Sequence, residues 1–338
     1  MSNLKKRLED VQANKLFSGS FLLQTKKHEQ LEGACGFANR SEQLENKVNT
    51  RFGIASGCKL FTAIAICQLV QDGKLTFDAK LSEILSIDLK NWDSNVTVHH
   101  LLTHTSGIPD YFDEELMDDF EDLWVKYPMY HIRKLEDFLP LFQDQPMKGK
   151  VGERFHYNNG GYIVLGLIVE KVSGLAFSDY VETYIFEKAE MNDSGYFAMD
   201  QLPSNTAIGY IDQEDGTWKT NIYSLPVKGG SDGGAYVTTR DMGKLWKALL
   251  QNKLLSKSFT EKLLTSHVQV KDTSYYGYGV WIKQNENGVE KYHVMGYDPG
   301  VSFHSAYYPS SETVSVVCSN KSSGAFDIMK EMEKDILG

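Results

Sequence analysis

The chain has 338 residues and a net charge of −10, with 41% hydrophobic and 24% charged residues. That length allows roughly three quarters of the unfolded surface to be buried, and the composition is that of a globular chain. The acidic balance argues against nucleic acid and against an anionic membrane as main partners, and leaves a small-molecule or short peptide substrate open.

Residues 4–16 carry Leu4, Leu8 and Val11 at helical spacing, the pattern of an amphipathic opening helix. Their basic residues run into acidic and polar ones, not into an apolar stretch, so no secretory signal is expected and the chain reads as cytoplasmic. Residues 17–25 and 29–37 read as short strands around a polar turn at 26–28. Residues 60–70 are apolar nearly all round, the mark of a helix inside a core, and Gly73 is placed to stop it. No run is long enough to span a bilayer. Cys35, Cys58, Cys67 and Cys318 show neither CxxC nor zinc spacing and read as buried thiols.

From about 80 to 204 the pattern is mostly helical, broken by loops. Thr97 is placed to cap a helix over 99–103. Residues 110–124 are rich in Asp and Glu, with Leu116, Phe120 and Leu123 at helical spacing, and read as a helix with a solvated face. A further apolar helix over 161–172 stops at Gly174. Beyond 205, glycine becomes frequent, a helix is expected over 241–251, strands over 276–282, 301–308 and 313–318, and a closing helix over 325–337. Strands at both ends with helices between them predict an α/β chain of the α+β type, an antiparallel sheet built from both chain ends and flanked by helices. Residues 1–79 and 205–338 then form one discontinuous domain and 80–204 a helical domain, with a site between them.

Three segments carry chemistry. In Ser56-Gly57-Cys58-Lys59, at the head of the buried helix, the serine hydroxyl lies near unpaired N–H groups and the positive helix end. Lys59 shares its face at i+3, and a lysine in apolar surroundings loses proton affinity. In Tyr157-Asn158-Asn159, tyrosine is a general base only where a nearby cation lowers its pKa, and Lys59 is the candidate. Asn159 has an oxygen for that lysine and a donor for a substrate carbonyl; an N-cap reading competes. In the segment from His293 to Gly300, a strand edge can donate a backbone N–H to an oxyanion, and a glycine admits a ligand close to the backbone.

These segments resemble, in order, those of the serine beta-lactamase-like family: class C beta-lactamases, low-molecular-mass penicillin-binding proteins and related esterases. The likeness is carried by residues 50–63 around Ser56, by 98–111 with His104, by 155–166 around Tyr157 and by 233–242 with the pair Gly233-Gly234. It implies a beta-lactamase/transpeptidase-like fold, a serine hydrolase that forms an acyl-enzyme on Ser56, and no cofactor. It further implies Lys59 as activator, Tyr157 as base, Asn159 on the substrate, and the backbone N–H groups of Ser56 and Tyr297 as oxyanion hole. Candidate substrates are a beta-lactam, a D-amino-acid peptide, or an ester or amide. The alternative is a penicillin-recognising or scaffold protein of this fold with little or no turnover.

One departure matters. The family places a cation two residues before the glycine of its third motif. With Gly296 as that glycine, the position falls on Val294 and His293 is one residue early. Either a bulge returns His293 to the pocket, or the site lacks the cation and favours a neutral ester or amide. A metal site on His99, His100 and His104 is disfavoured, because the helix lacks the intervening glutamate of a metalloprotease.

Overall fold

Eight strands, all antiparallel to their neighbours, form a sheet in which the first strand of the chain pairs with the last. The computed structural model describes every residue except Met1, Lys15, Leu16, His28, Glu29, Asp88, Lys90, Asp118 and Gly338. The end of the expected opening helix and the end of the turn at 26–28 thus lie outside the described residues. In chain order come α1 (Ser2–Asn14), β1 (Gly19–Gln24) and β2 (Gln30–Cys35). Then follow α2 (Lys59–Gln71), α3 (Asn159–Ser173) and α4 (Thr239–Leu250). The chain closes with β3 (Val268–Lys271), β4 (Ser274–Tyr276), β5 (Trp281–Asn285), β6 (Gly288–Asp298), β7 (Val301–Tyr308), β8 (Thr313–Ser319) and α5 (Ala325–Ile336). The strand order is β2-β1-β8-β7-β6-β5-β4-β3.

Alternation along the central strands explains both faces of the sheet. Phe21, Leu23 and Val317 pack with Leu4 and Leu8 of α1 and with Ile328, Met329 and Met332 of α5. Their neighbours Leu22, Val316 and Cys318 face the other way, into the main core with α2 and α4. Arg7 ties α1 to α5 through Glu331 at 2.6 Å. The amphipathic α4 buries Met242, Leu245, Trp246 and Leu249, and Trp246 Nε1 donates to Ser305 Oγ of β7 at 2.8 Å.

Helix α2 is buried from Lys59 to Leu69, as its all-round apolarity requires, and α3 lies against it. Thr97 caps the helix Val98–Leu102 by accepting from His100 N–H. Helix α3 ends at Gly174, which adopts a left-handed φ of 75°.

The middle of the chain is less helical than its pattern. Among the described residues of 110–119 there is no helix; a 3₁₀ turn Phe120–Asp122 and a short helix Leu123–Lys126 follow. The reason lies in two aspartates, Asp110 and Asp113, which are buried and take up structural hydrogen bonds instead of facing water. The strand expected over 276–282 is likewise split, into β4 and β5, by a turn through Gly277 and Gly279.

Ile64, fully buried in α2, tests the weight of this helix. Ile64→Ala should lower the unfolding free energy by about 2–5 kcal/mol in a denaturant titration, since it leaves a cavity among packed neighbours.

Candidate active site

Ser56 sits in a 3₁₀ turn, Ala55–Cys58, that runs directly into α2. Ala55 ahead of it has a φ of 45°, a left-handed conformation that costs a non-glycine residue about 1–3 kcal/mol. The surroundings impose it. Ile54 N–H donates to Ala235 O at 3.0 Å, Gly57 N–H to Ile54 O at 2.9 Å, and Gly234 N–H to Ala55 O at 3.4 Å.

Lys59 is 1% exposed. Its Nζ lies 2.9 Å from Ser56 Oγ, 2.8 Å from Asn159 Oδ1 and 2.8 Å from Asp232 O. An ammonium has three N–H donors and no acceptor. Asn159 and Asp232 take two of the three directions, and the third points at the serine hydroxyl.

Asn159 is held by the start of α3. The N-cap is Asn158, whose Oδ1 accepts from Gly161 N–H at 2.6 Å, so the competing cap reading falls on its neighbour. The Asp110 carboxylate accepts from Asn159 N–H at 2.7 Å and from Gly160 N–H at 2.8 Å. Burial pushes the Asp110 carboxyl up to about 7, against the pull of these backbone donors. Asn159 Nδ2 donates to Phe112 O at 3.2 Å, which leaves one N–H for a ligand. On the other side of Lys59, Tyr111 hydroxyl donates to the Asp232 carboxylate.

Tyr157 is positioned by His104. The rings lie 4.4 Å apart, and His104 Nδ1 accepts from Asn158 N–H at 3.0 Å. That bond assigns the ring proton to Nε2, near Tyr276 hydroxyl at 3.2 Å. Burial drives the His104 pKa well down, so the ring is neutral. Lys59 Nζ lies 4.8 Å from the Tyr157 ring centroid. The Tyr157 phenol is raised, not depressed as expected. Burial pushes it well up and the Glu114 carboxylate adds to that, while its hydrogen bond with Ser56 pulls the other way. Tyr157 is thus held as a phenol.

Strand β5 begins opposite His293, so residues 294–298 of β6 continue beyond it with an open edge. Gly296 lies there against the nucleophile turn: a Cβ at this position would sit 2.1 Å from Ile54 O and 2.8 Å from Ser56 N. The pairing of β6 with β7 is unbroken from Tyr292 to Asp298. No bulge returns His293 to the pocket. Its ring sits behind Trp281, with centroids 6.5 Å apart, and burial pushes its pKa down to about 3. Val294, at the position of the family's cation, is buried. Tyr297 contributes to the cavity wall, and its hydroxyl is 2.5 Å from His304 Nε2.

A cavity of about 640 Å³ opens over these groups, bounded by Ser56, Tyr157, Asn159, Trp281, Gly296 and Asp298 among others. The three histidines weighed as metal ligands serve separate bonds: His99 Nδ1 to Tyr278 hydroxyl, His100 Nδ1 to Thr97, His104 to Asn158. The structure brings Ser56, Lys59, Tyr157, Asn159 and Gly296 together. Sequence reasoning missed Asp110, Tyr111, Asp232 and Asp298, and gave His104 no task. Their signal was weak: Asp232 adjoins the glycine pair, but Asp110 stood in a run that looked solvated.

A profile of the family described as Beta-lactamase matches residues 4–335. Among solved structures, a penicillin binding protein from Bacillus halodurans is 60% identical, with a TM-score of 0.94 over 97% of this chain and 99% of that one. Penicillin-binding protein 4* of Bacillus subtilis (strain 168) is 29% identical over 85% of this chain. Teichoic acid D-alanine hydrolase of Staphylococcus aureus (strain MRSA252) is 24% identical over 83%. The matches span only 64% and 66% of those two curated relatives.

Two measurements probe this geometry. Gly296→Ala places a Cβ against backbone that has nowhere to go, and should slow fluorophosphonate labelling of Ser56 by about 100-fold, as loss of oxyanion stabilisation does, with an unchanged circular dichroism spectrum. Asp298, whose carboxyl is pushed up to about 8 by burial and then by the Asp232 and Glu114 carboxylates, binds its proton more tightly folded than unfolded. Its contribution to stability is therefore present below the unfolded value near 4 and is lost as pH rises through about 8. Asp298→Asn should gain in melting temperature relative to wild type as pH rises from 4 to 8; a constant gap would contradict the assignment.

Proposed function

This chain belongs to the Beta-lactamase family, and on that premise we propose that it is a serine hydrolase working through an acyl-enzyme on Ser56. The observation that carries the reading is the buried Lys59 Nζ, 2.9 Å from Ser56 Oγ with its other two directions already taken. In its base form the amine aims its lone pair at the serine proton. Ser56 Oγ then bonds to the substrate carbonyl carbon, the proton passes to the Lys59–Tyr157 pair, and that pair returns a proton to the leaving group as the acyl bond breaks. Water repeats the sequence in reverse to free the acid. The carbonyl oxygen is received by the N–H groups of Ser56 and Tyr297, and the spare Asn159 N–H meets the substrate beside it.

The two-unit reading of the chain, 80–204 against 1–79 with 205–338, supports this as a cleft reaction. It is part of the proposal, as is cytoplasmic placement, which four unpaired cysteines suit. Among the described residues no single helix is long and apolar enough to cross a membrane. Because Val294 stands where the family has a cation, we propose ester or amide substrates without a recognised carboxylate over beta-lactams and peptides ending in D-alanine. The same feature keeps a penicillin-recognising scaffold as the second reading.

A panel of nitrocefin, a D-Ala-D-Ala peptide and p-nitrophenyl esters, run on wild type and Ser56→Ala, separates these readings. Esters should be turned over by wild type, and Ser56→Ala should lose at least about 10³-fold of that rate. Ester hydrolysis unchanged by the substitution would refute the assignment. A stable Ser56 adduct without turnover would favour the scaffold.

A further inference from the structure

The cavity over Ser56 has a one-sided charge balance. Glu114, Asp119, Asp232 and Asp298 line it, and among the described lining residues there is no lysine, arginine or histidine. Lys59 lies beneath the wall with its nitrogen committed. Asp232 is engaged by Tyr111, whereas Glu114 and Asp119 are exposed at the rim. Asp298 is different. Among the described residues no hydrogen bond or ion pair reaches its carboxylate, and it is only partly exposed, on the cavity side.

Its direction follows from strand geometry. The side of β6 on which a Gly296 Cβ would project meets Ile54 O and Ser56 N. Residues two apart on a strand project to the same face, so Asp298 is presented to the side that faces the nucleophile, one pleat further, about 7 Å along the strand. An amine on the carbon next to a scissile carbonyl sits about 2.5 Å from the carbonyl carbon. The amine of a substrate held at Ser56 therefore lies in the cavity that Asp298 lines.

We propose that Asp298 is a specificity residue that receives a substrate ammonium beside the scissile carbonyl, so that this chain acts on aminoacyl esters or amides with a free α-amine. The inference rests on the acyl-hydrolase reading above. It replaces the missing cation at Val294 by an acidic group of opposite preference: an incoming carboxylate meets an acidic wall with no cation among its described lining residues, and an incoming ammonium stabilises the ionised form of Asp298. Burial and then the Asp232 and Glu114 carboxylates resist ionisation of Asp298, and a bound cation relieves them.

The test compares alanine benzyl ester, its N-acetyl form and its N-succinyl form, in both enantiomers, on wild type and Asp298→Asn. Wild type should prefer the free amine, with the N-succinyl ester poorest. In Asp298→Asn the ratio of free-amine to N-acetyl kcat/KM should fall about 10–100-fold, the worth of a hydrogen bond to a charged group, mainly through KM. Fluorophosphonate labelling reports the nucleophile separately. Equal turnover of free-amine and N-acetyl esters by wild type overturns the inference, as does a variant that lowers both equally while still labelling. Labelling without turnover of any ester also overturns it and leaves Ser56 standing. Neither labelling nor turnover brings down the acyl-hydrolase reading itself.

Discussion

A lysine nitrogen inside an apolar core is the constraint around which the site is arranged. Removing it from water costs several kcal/mol unless its hydrogen-bonding directions are all met. Lys59 meets them with partners 100 and 173 residues away in sequence, Asn159 Oδ1 and Asp232 O. Each partner is in turn fixed by a buried carboxylate: Asp110 receives the first amides of α3, and Asp232 receives Tyr111. The result is a polar thread through an apolar interior that reaches the cavity at Ser56, Tyr111, Asn159 and Asp232.

The sheet contributes the second half of the geometry by what it withholds. Because β5 starts opposite His293, the last residues of β6 extend past it, and the nucleophile turn packs against their face at Gly296. Such an approach tolerates no side chain at residue 296. It also sets which side chains count. Val294, Gly296 and Asp298 share the face toward Ser56, while His293, Met295 and Tyr297 share the opposite one. One residue of register separates a site with a histidine in it from a site with an aspartate.

How much of this was legible follows the range of the interactions. Helices α2, α3, α4 and α5, the caps at Thr97 and the stop at Gly174 are written in local periodicity and local hydrogen bonds, and they stand close to where the pattern puts them. Ser56, Lys59, Tyr157 and Asn159 were readable because each motif is short and the four fall in a fixed order. Asp110 and Asp298 were not. An aspartate that serves a helix start 49 residues away looks in sequence like any solvated acid, and the face of a strand residue depends on a pairing partner that the strand itself does not name. The Tyr157 phenol was misjudged for a related reason: the proximity of Lys59 was inferred, but the depth of burial, which pushes the phenol up, was not.

The sheet also has a bearing on how the chain acquires activity. Strand β1, near the start, pairs with β8, near the end, in register from Gly19 with Ser319 to Gln24 with Val314. Contacts between such distant segments close very long loops and slow folding. During synthesis the nucleophile segment therefore emerges long before the strand that completes its surroundings, and β1 waits with an unpaired edge until nearly the whole chain is made. A truncated product has Ser56 and Lys59 but neither Gly296 nor a closed sheet. The topology thus acts as a completeness check, in which hydrolytic competence and final compaction arrive in the same late event.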